Sequence, residues 1–186
     1  MKLMKTALSL GILLLMLSLG YGCNRDNAIK LTYALGPQQV SCPGSVVIFK
    51  FEDKRSDVRL GRNNDGTAIA SLSDVSDWVG WALFDELKAA GCDVKYRTTT
   101  VAPGETPLVS GEVLDVSLNQ TGTTTFVGKI TVKVMVHKGG KTVHVEKFTS
   151  EVQDVVVPGY GTQGDIMAEA LRGLMSEIVP AVCKSI

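Results

Sequence analysis

The chain has 186 residues, 45% of them apolar and 20% charged, with 19 basic side chains against 19 acidic ones. That is the composition of one globular domain and excludes a disordered or fibrous chain. A formal charge of zero supplies no field for a phosphate backbone, so no nucleic-acid partner is expected, and no apolar run reaches the roughly 20 residues of a membrane-spanning helix.

The totals are the sum of two unlike parts. Residues 1–22 hold Lys2 and Lys5 and no carboxylate, which leaves 164 residues with 17 basic and 19 acidic side chains, a net of −2. A chain of that length buries about two thirds of its unfolded surface and needs no metal to complete a core. Within the leader, residues 7–19 are apolar apart from Ser9, Gly11 and Ser18, and Gly20, Tyr21 and Gly22 follow. This is the layout of a secretory signal peptide, too short to remain as a membrane anchor. The run Leu19-Gly20-Tyr21-Gly22-Cys23 resembles the lipobox of bacterial lipoproteins, in which the cysteine is acylated and becomes the new N-terminus. The resemblance implies lipidation at Cys23 and contact with a membrane through that lipid anchor. Asn24 in the next position implies outer-membrane sorting, with the domain facing the periplasm. The alternative is a plain signal peptide with Cys23 as a structural thiol.

An oxidising compartment permits disulfides, and Cys42, Cys92 and Cys183 remain. Cys42 precedes the first strand and Cys183 sits in the last turn of the chain, both places where a staple helps, so these two are the expected pair. Cys92 follows a helix-ending glycine and is read as a small buried hydrophobe. No cysteine or histidine spacing indicates a metal site or a redox dithiol, and none is expected.

Residues 23–44 read as the lipidated N-terminus and a tether, with a short strand around Leu31, Thr32 and Tyr33. Residues 45–186 read as one periplasmic domain. Its first strand, residues 45–51 (SVVIFKF), is apolar enough to be central in a sheet. Residues 52–65 are a mixed-charge loop. A helix follows, capped by Ser73 or Asp74 and stopped at Gly91, with Val75, Val79, Leu83, Leu87 and Ala90 on its core face. Strands are expected over residues 93–98, over 108–118 with a bulge near Gly111, and in a hairpin turning at Gly139 and Gly140. A two-residue turn sets Val136 opposite Val143, Val134 opposite Val145 and Lys133 opposite Glu146. The last helix opens at Asp165 with Met167, Ala170, Leu171, Leu174, Ile178 and Val182 as its stripe, and Pro180 is expected to kink or end it. The expected fold is α+β, with two amphipathic helices on one face of an antiparallel sheet of about five strands.

Few residues point to chemistry. Gly159-Tyr160-Gly161-Thr162-Gln163-Gly164 fits G-x-G-x-x-G, but a dinucleotide unit needs a further parallel strand and an acidic residue about 20 positions on, and the chain has no room for them. Neither nucleotide nor any other cofactor is expected. His137 and His144, placed by the hairpin register on the outer face, lack a third ligand. Asp53 and Arg55 are expected to pair or to cap local backbone. No nucleophile-elbow pattern is present, and the chain is not expected to be an enzyme. Trp78 and Trp81 fall on the polar side of the first helix, beside Asp74, Asp77, Asp85 and Lys88. Either residues 31–40 fold back over both, or they are a partner-binding patch.

Residues 46–55 (VVIFKFEDKR), Leu60-Gly61, Asp74-Val75, residues 87–94 (LKAAGCDV), residues 110–113 (SGEV) and residues 168–179 together are similar to the YajG-like family of bacterial outer-membrane lipoproteins. The resemblance implies a periplasmic α+β domain with no established catalytic residues. Two functions are weighed. One is a non-enzymatic lipoprotein that binds an envelope protein or itself, with a filled core and an exposed patch. The other is an auxiliary lipoprotein of a lipid-transport or lipopolysaccharide-assembly system, with an apolar cavity between helices and sheet.

Overall fold

The computed structural model describes residues 27–37, 40–99, 104–157 and 161–186. The leader and Cys23 lie outside them. In chain order the elements are β1 (Asn27–Ile29), β2 (Ser45–Phe49), β3 (Glu52–Asp53), β4 (Gly61–Arg62), β5 (Ala68–Ser71), α1 (Val75–Ala89), β6 (Asp93–Arg97), β7 (Leu108–Gln120), β8 (Thr125–Lys138), β9 (Lys141–Val155) and α2 (Gln163–Ser185). The domain is α+β with two helices and a mostly antiparallel set of strands, and it has more strands than the sequence suggests.

The main sheet runs β6-β2-β7-β8-β9, with β3 also paired to β7. Its long ribbons β7-β8-β9 are antiparallel, whereas β2 lies parallel to both β6 and β7. The parallel pairs correct the all-antiparallel expectation: β2 returns to β6 through α1, and such a crossover delivers the next strand in the same direction. A second sheet, β1-β5-β4, takes β1 from the tether, β4 from the stretch read as a mixed-charge loop and β5 from Ala68–Ser71 just beyond it. Its strand in the tether is Asn27–Ile29, not residues 31–33. Leu60, 1% exposed, anchors this sheet to the main one, because its N–H donates to Ile69 O and its carbonyl accepts from Leu118 N–H.

The helix stripes face the sheet. Val79, Leu83 and Leu87 of α1 and Met167, Leu171, Leu174 and Ile178 of α2 are fully buried, in one cluster with Ile48, Val109, Ile130, Val132 and Val134 of the sheet. Asp74 caps α1 by accepting from Asp77 N–H at 3.0 Å, and Gly91, at φ +95°, supplies the left-handed stop. α2 continues through Pro180 to Ser185, so of the two expected effects, a kink or an end, the proline does not end the helix. Val182, fully buried, and Cys183, bonded to Cys42, hold its last turn in place.

Two registers differ from expectation. The bulge in β7 falls between Val113 and Asp115 and leaves Gly111 in the regular ladder. Gly111 is needed for another reason: a Cβ there would lie 2.4 Å from the Phe51 ring. The β8-β9 hairpin starts as expected, Lys138 opposite Lys141 and His137 opposite Thr142, but a bulge at Val136/His137 then shifts every pair by one. Val136 faces His144, Val134 faces Glu146 and Lys133 faces Lys147. A shift of one residue exchanges the two faces of a strand. Phe148 and Val152 therefore turn toward α2, and Val143 and Val145 stand exposed.

Candidate functional site

Trp78 and Trp81 part company. Residues 31–36 cross the outer side of α1 as a strap. Leu31 is buried, and its N–H donates to Ser73 Oγ at 3.1 Å. Trp78 is 8% exposed beneath the strap, its Nε1–H donating to Thr32 O at 3.0 Å. Further along, Tyr33 O–H donates to Glu86 Oε1, which also accepts from Gly36 N–H at 3.0 Å. The strap thus satisfies the polar atoms of the helix side that it covers, as buried polar groups require. Burial, and then the bond to Glu86, raises the Tyr33 phenol above its ordinary value.

That shift has a stability consequence. The folded domain keeps Tyr33 protonated where the unfolded chain, at the ordinary 10.0, releases its proton. The phenol's contribution is complete below about pH 10 and is lost as pH rises beyond it. Guanidinium midpoints measured from about pH 8 to pH 11 should fall on the alkaline side, and Tyr33→Phe should flatten that fall while losing about 1 kcal/mol at pH 8 with the hydrogen bond. An alkaline limb unchanged by Tyr33→Phe contradicts this assignment.

Trp81 is not covered by the strap; it is 46% exposed. Its ring stacks on Tyr96 of β6, centroids 4.4 Å apart and planes 16° apart, and Phe84 stands edge-on to it at 5.2 Å. Gly80 makes the stack possible, since a Cβ there would meet Tyr96 Oη at 2.7 Å. Charged groups border the rings. Lys50 Nζ lies 3.0 Å from Asp77 and 3.3 Å from Asp74, and Lys88 Nζ lies 5.8 Å from the Phe84 centroid. Burial, then the Asp77 charge, raises the Tyr96 phenol, so the stack is neutral through the physiological range. The result is a stacked aromatic platform beside β6, an edge strand of the main sheet.

A cavity of about 270 Å³ opens between the strap and α2, lined by Gly36, Pro37, Val40, Glu86, Arg172, Met175 and Val179 among others. It arises only when the strap is laid across the helices, and nothing local in the sequence marks it.

The three described cysteines converge. Cys42 and Cys183 form a disulfide with Cα atoms 5.3 Å apart, and Cys92 is a free, buried thiol donating to Cys42 O at 2.9 Å. All three sulfurs lie within 4.8 Å of one another. Burial raises the Cys92 thiol, which keeps it protonated and slow to react.

The remaining candidates resolve into structural roles. His137 stays on the outer face, bonded to Ser110 Oγ at 3.1 Å and Thr142 Oγ1 at 3.0 Å. The bulge sends His144 to the opposite face, 3.1 Å from Glu146, so the two histidines do not share a face as expected and cannot share a metal. Of the glycine-rich run, Gly159 and Tyr160 lie outside the described residues. Thr162 and Asp165 form a reciprocal capping box at the start of α2, and the Asp165 carboxylate takes the N-terminal position that a phosphate would need. Arg55 Nε and Nη2 grip Asp53 at 2.9 and 2.7 Å, which lowers the Asp53 carboxyl.

No family model and no curated protein sequence matches the chain. Solved structures do. A Xanthomonas campestris protein of family DUF330 superimposes with a TM-score of 0.63 at 11% identity, over 85% of this chain and 95% of that one. A protein described only as uncharacterised reaches 0.51 at 8% identity, over 83% of this chain and 99% of that one. At such identities the likeness is one of fold alone. A minor lipoprotein from Acinetobacter baumannii overlaps more loosely, at a TM-score of 0.44 and 12% identity over 75% of this chain and 92% of that one. Among the described residues no helix is long and apolar enough to cross a membrane.

Proposed function

We propose that this chain is a lipid-anchored envelope protein, held at the outer membrane by acylated Cys23, whose periplasmic domain binds a protein and catalyses nothing. The observation that carries the reading is the contrast between a continuous buried cluster joining helices and sheet, with the cavity of about 270 Å³ lying beside the strap, and an exposed aromatic platform. The side chains between helices and sheet are buried in one continuous cluster, which favours a binding scaffold over a lipid carrier that would need room there. Trp81, stacked on Tyr96 and backed by Phe84, presents aromatic area beside an edge strand of the main sheet. Tryptophan and tyrosine held this way lose little side-chain entropy on association and dominate many interfaces.

A photo-crosslinker at Asp85, one turn from Trp81 and exposed, and a second at Asp77, should each capture a discrete protein in cells. Trp81→Ala should weaken capture about tenfold or more, the range of an interfacial tryptophan. Capture of nothing at either position, or capture indifferent to Trp81→Ala, overturns the platform as the binding surface.

A further inference from the structure

The other edge of the main sheet is β9, fifteen residues long and, among the described residues, paired only to β8. A strand of that length with one open side is a template for another strand. Three of its valines stand in solvent, Val143 at 51%, Val145 at 55% and Val155 at 46% exposed. Of its charges, Glu151 lies opposite Lys129 of the same domain, but Lys147 is placed poorly for this domain alone. Lys147 sits directly across from Lys133, a like-charge pair that costs stability, and Lys133 already has Glu112 at 3.2 Å. Lys147 and Glu151 are both exposed, and neither forms an ion pair within 4 Å among the described residues.

We propose that β9 pairs antiparallel with β9 of a second copy of this chain, about a two-fold axis at Thr149, to give a symmetric dimer with one continuous sheet. The proposal rests on the reading that the domain works by binding and names one of its partners. Charge selects the register. Centred on Thr149, each Lys147 faces Glu151 of the second copy, twice by symmetry. His144 then faces Asp154, and Val143 comes level with Val155. Centring on Phe148 sets Lys147 against threonine and Glu151 against valine. Centring on Ser150 sets Glu146 against Asp154. Centring on Lys147 or on Glu151 sets like charges face to face. Only the Thr149 register relieves the Lys133-Lys147 contact, and charged residues that guard an edge against chance pairing here become the key to one pairing.

The test uses the full chain in native membranes. Thr149→Cys lies on the axis, and the described cysteines are buried or disulfide-bonded, so mild oxidation should link two copies through position 149. Gln153→Cys, far from its symmetry mate in this register, should not link. Adding Lys147→Glu to Thr149→Cys should cut the linked fraction about tenfold, and adding Glu151→Lys as well should restore it, because the two cross-strand pairs are re-formed with exchanged signs. Glu151→Lys alone provides a second single variant, and thermal unfolding of each variant reports whether the domain itself is intact. No link at position 149, equal linking at 153, or linking insensitive to the charge reversals overturns the dimer. A protein captured at Asp85 with no link at Thr149 removes this dimer and keeps the binding reading; a link at Thr149 with nothing captured at Asp85 does the reverse for the platform.

Discussion

Gly111→Ala should destabilise the domain by about 3 kcal/mol, the upper part of the range for overpacking a close-fitted site. The added Cβ would stand 2.4, 2.6 and 2.7 Å from three atoms of the Phe51 ring. Phe51 is 1% exposed and sits at the junction of β2 and β3, both of which pair with β7. At that burial the ring yields only by displacing packed neighbours. Urea unfolding measures the loss, and a double-mutant cycle identifies its source. Phe51→Leu alone should cost about 1 kcal/mol, and combined with Gly111→Ala it should recover part of the alanine's penalty by vacating the space. Strict additivity of the two changes, or a Gly111→Ala variant as stable as wild type, contradicts the packing described for this glycine.

Removing the Cys42–Cys183 link should cost about 2–4 kcal/mol, because the bond closes a loop across 141 positions and so restricts the unfolded chain strongly. Two segments depend on it: the stretch entering β2 and the last turn of α2, which runs on past Pro180. Cys42→Ser combined with Cys183→Ser should lower the thermal midpoint, with the earliest loss of amide protection in the α2 turn around Val182 and Cys183. Addition of reductant should move wild type to the same midpoint and leave the double variant unchanged. Peptide mapping under non-reducing conditions should return the Cys42–Cys183 peptide with Cys92 as a free thiol. A cross-linked peptide containing Cys92 contradicts this assignment, and the closeness of the three sulfurs, all within 4.8 Å of one another, makes mapping essential.

Helix positions were legible because their signal is local. Val79, Leu83 and Leu87, and likewise Met167, Leu171 and Leu174, repeat at helical spacing and are all fully buried. The continuous apolar run of β2 announced a central strand, and β2 lies between β6 and β7. What failed to show depends on contacts distant in sequence. Leu60 is a lone apolar residue between Arg59 and Gly61 and has no periodicity to read, yet it joins the two sheets. The bulge at Val136/His137 reverses the faces of β9, and the alternation of Val143 and Val145 had suggested the opposite assignment. The tryptophans show the same limit at the candidate site. Their spacing marked two residues on one side of α1, but a strap from residues 31–36 covers the first, and an aromatic ring from β6 supports the second.

Anchoring at Cys23 is the claim on which the envelope reading depends, and intact-mass spectrometry of the chain purified from membranes tests it most directly. The expected result is a mature polypeptide that begins at Cys23 and carries the added mass of several acyl chains, each contributing about 0.8 kcal/mol per buried methylene to membrane retention. A chain that retains Met1, or one that begins at or near Cys23 with no added lipid mass, contradicts it.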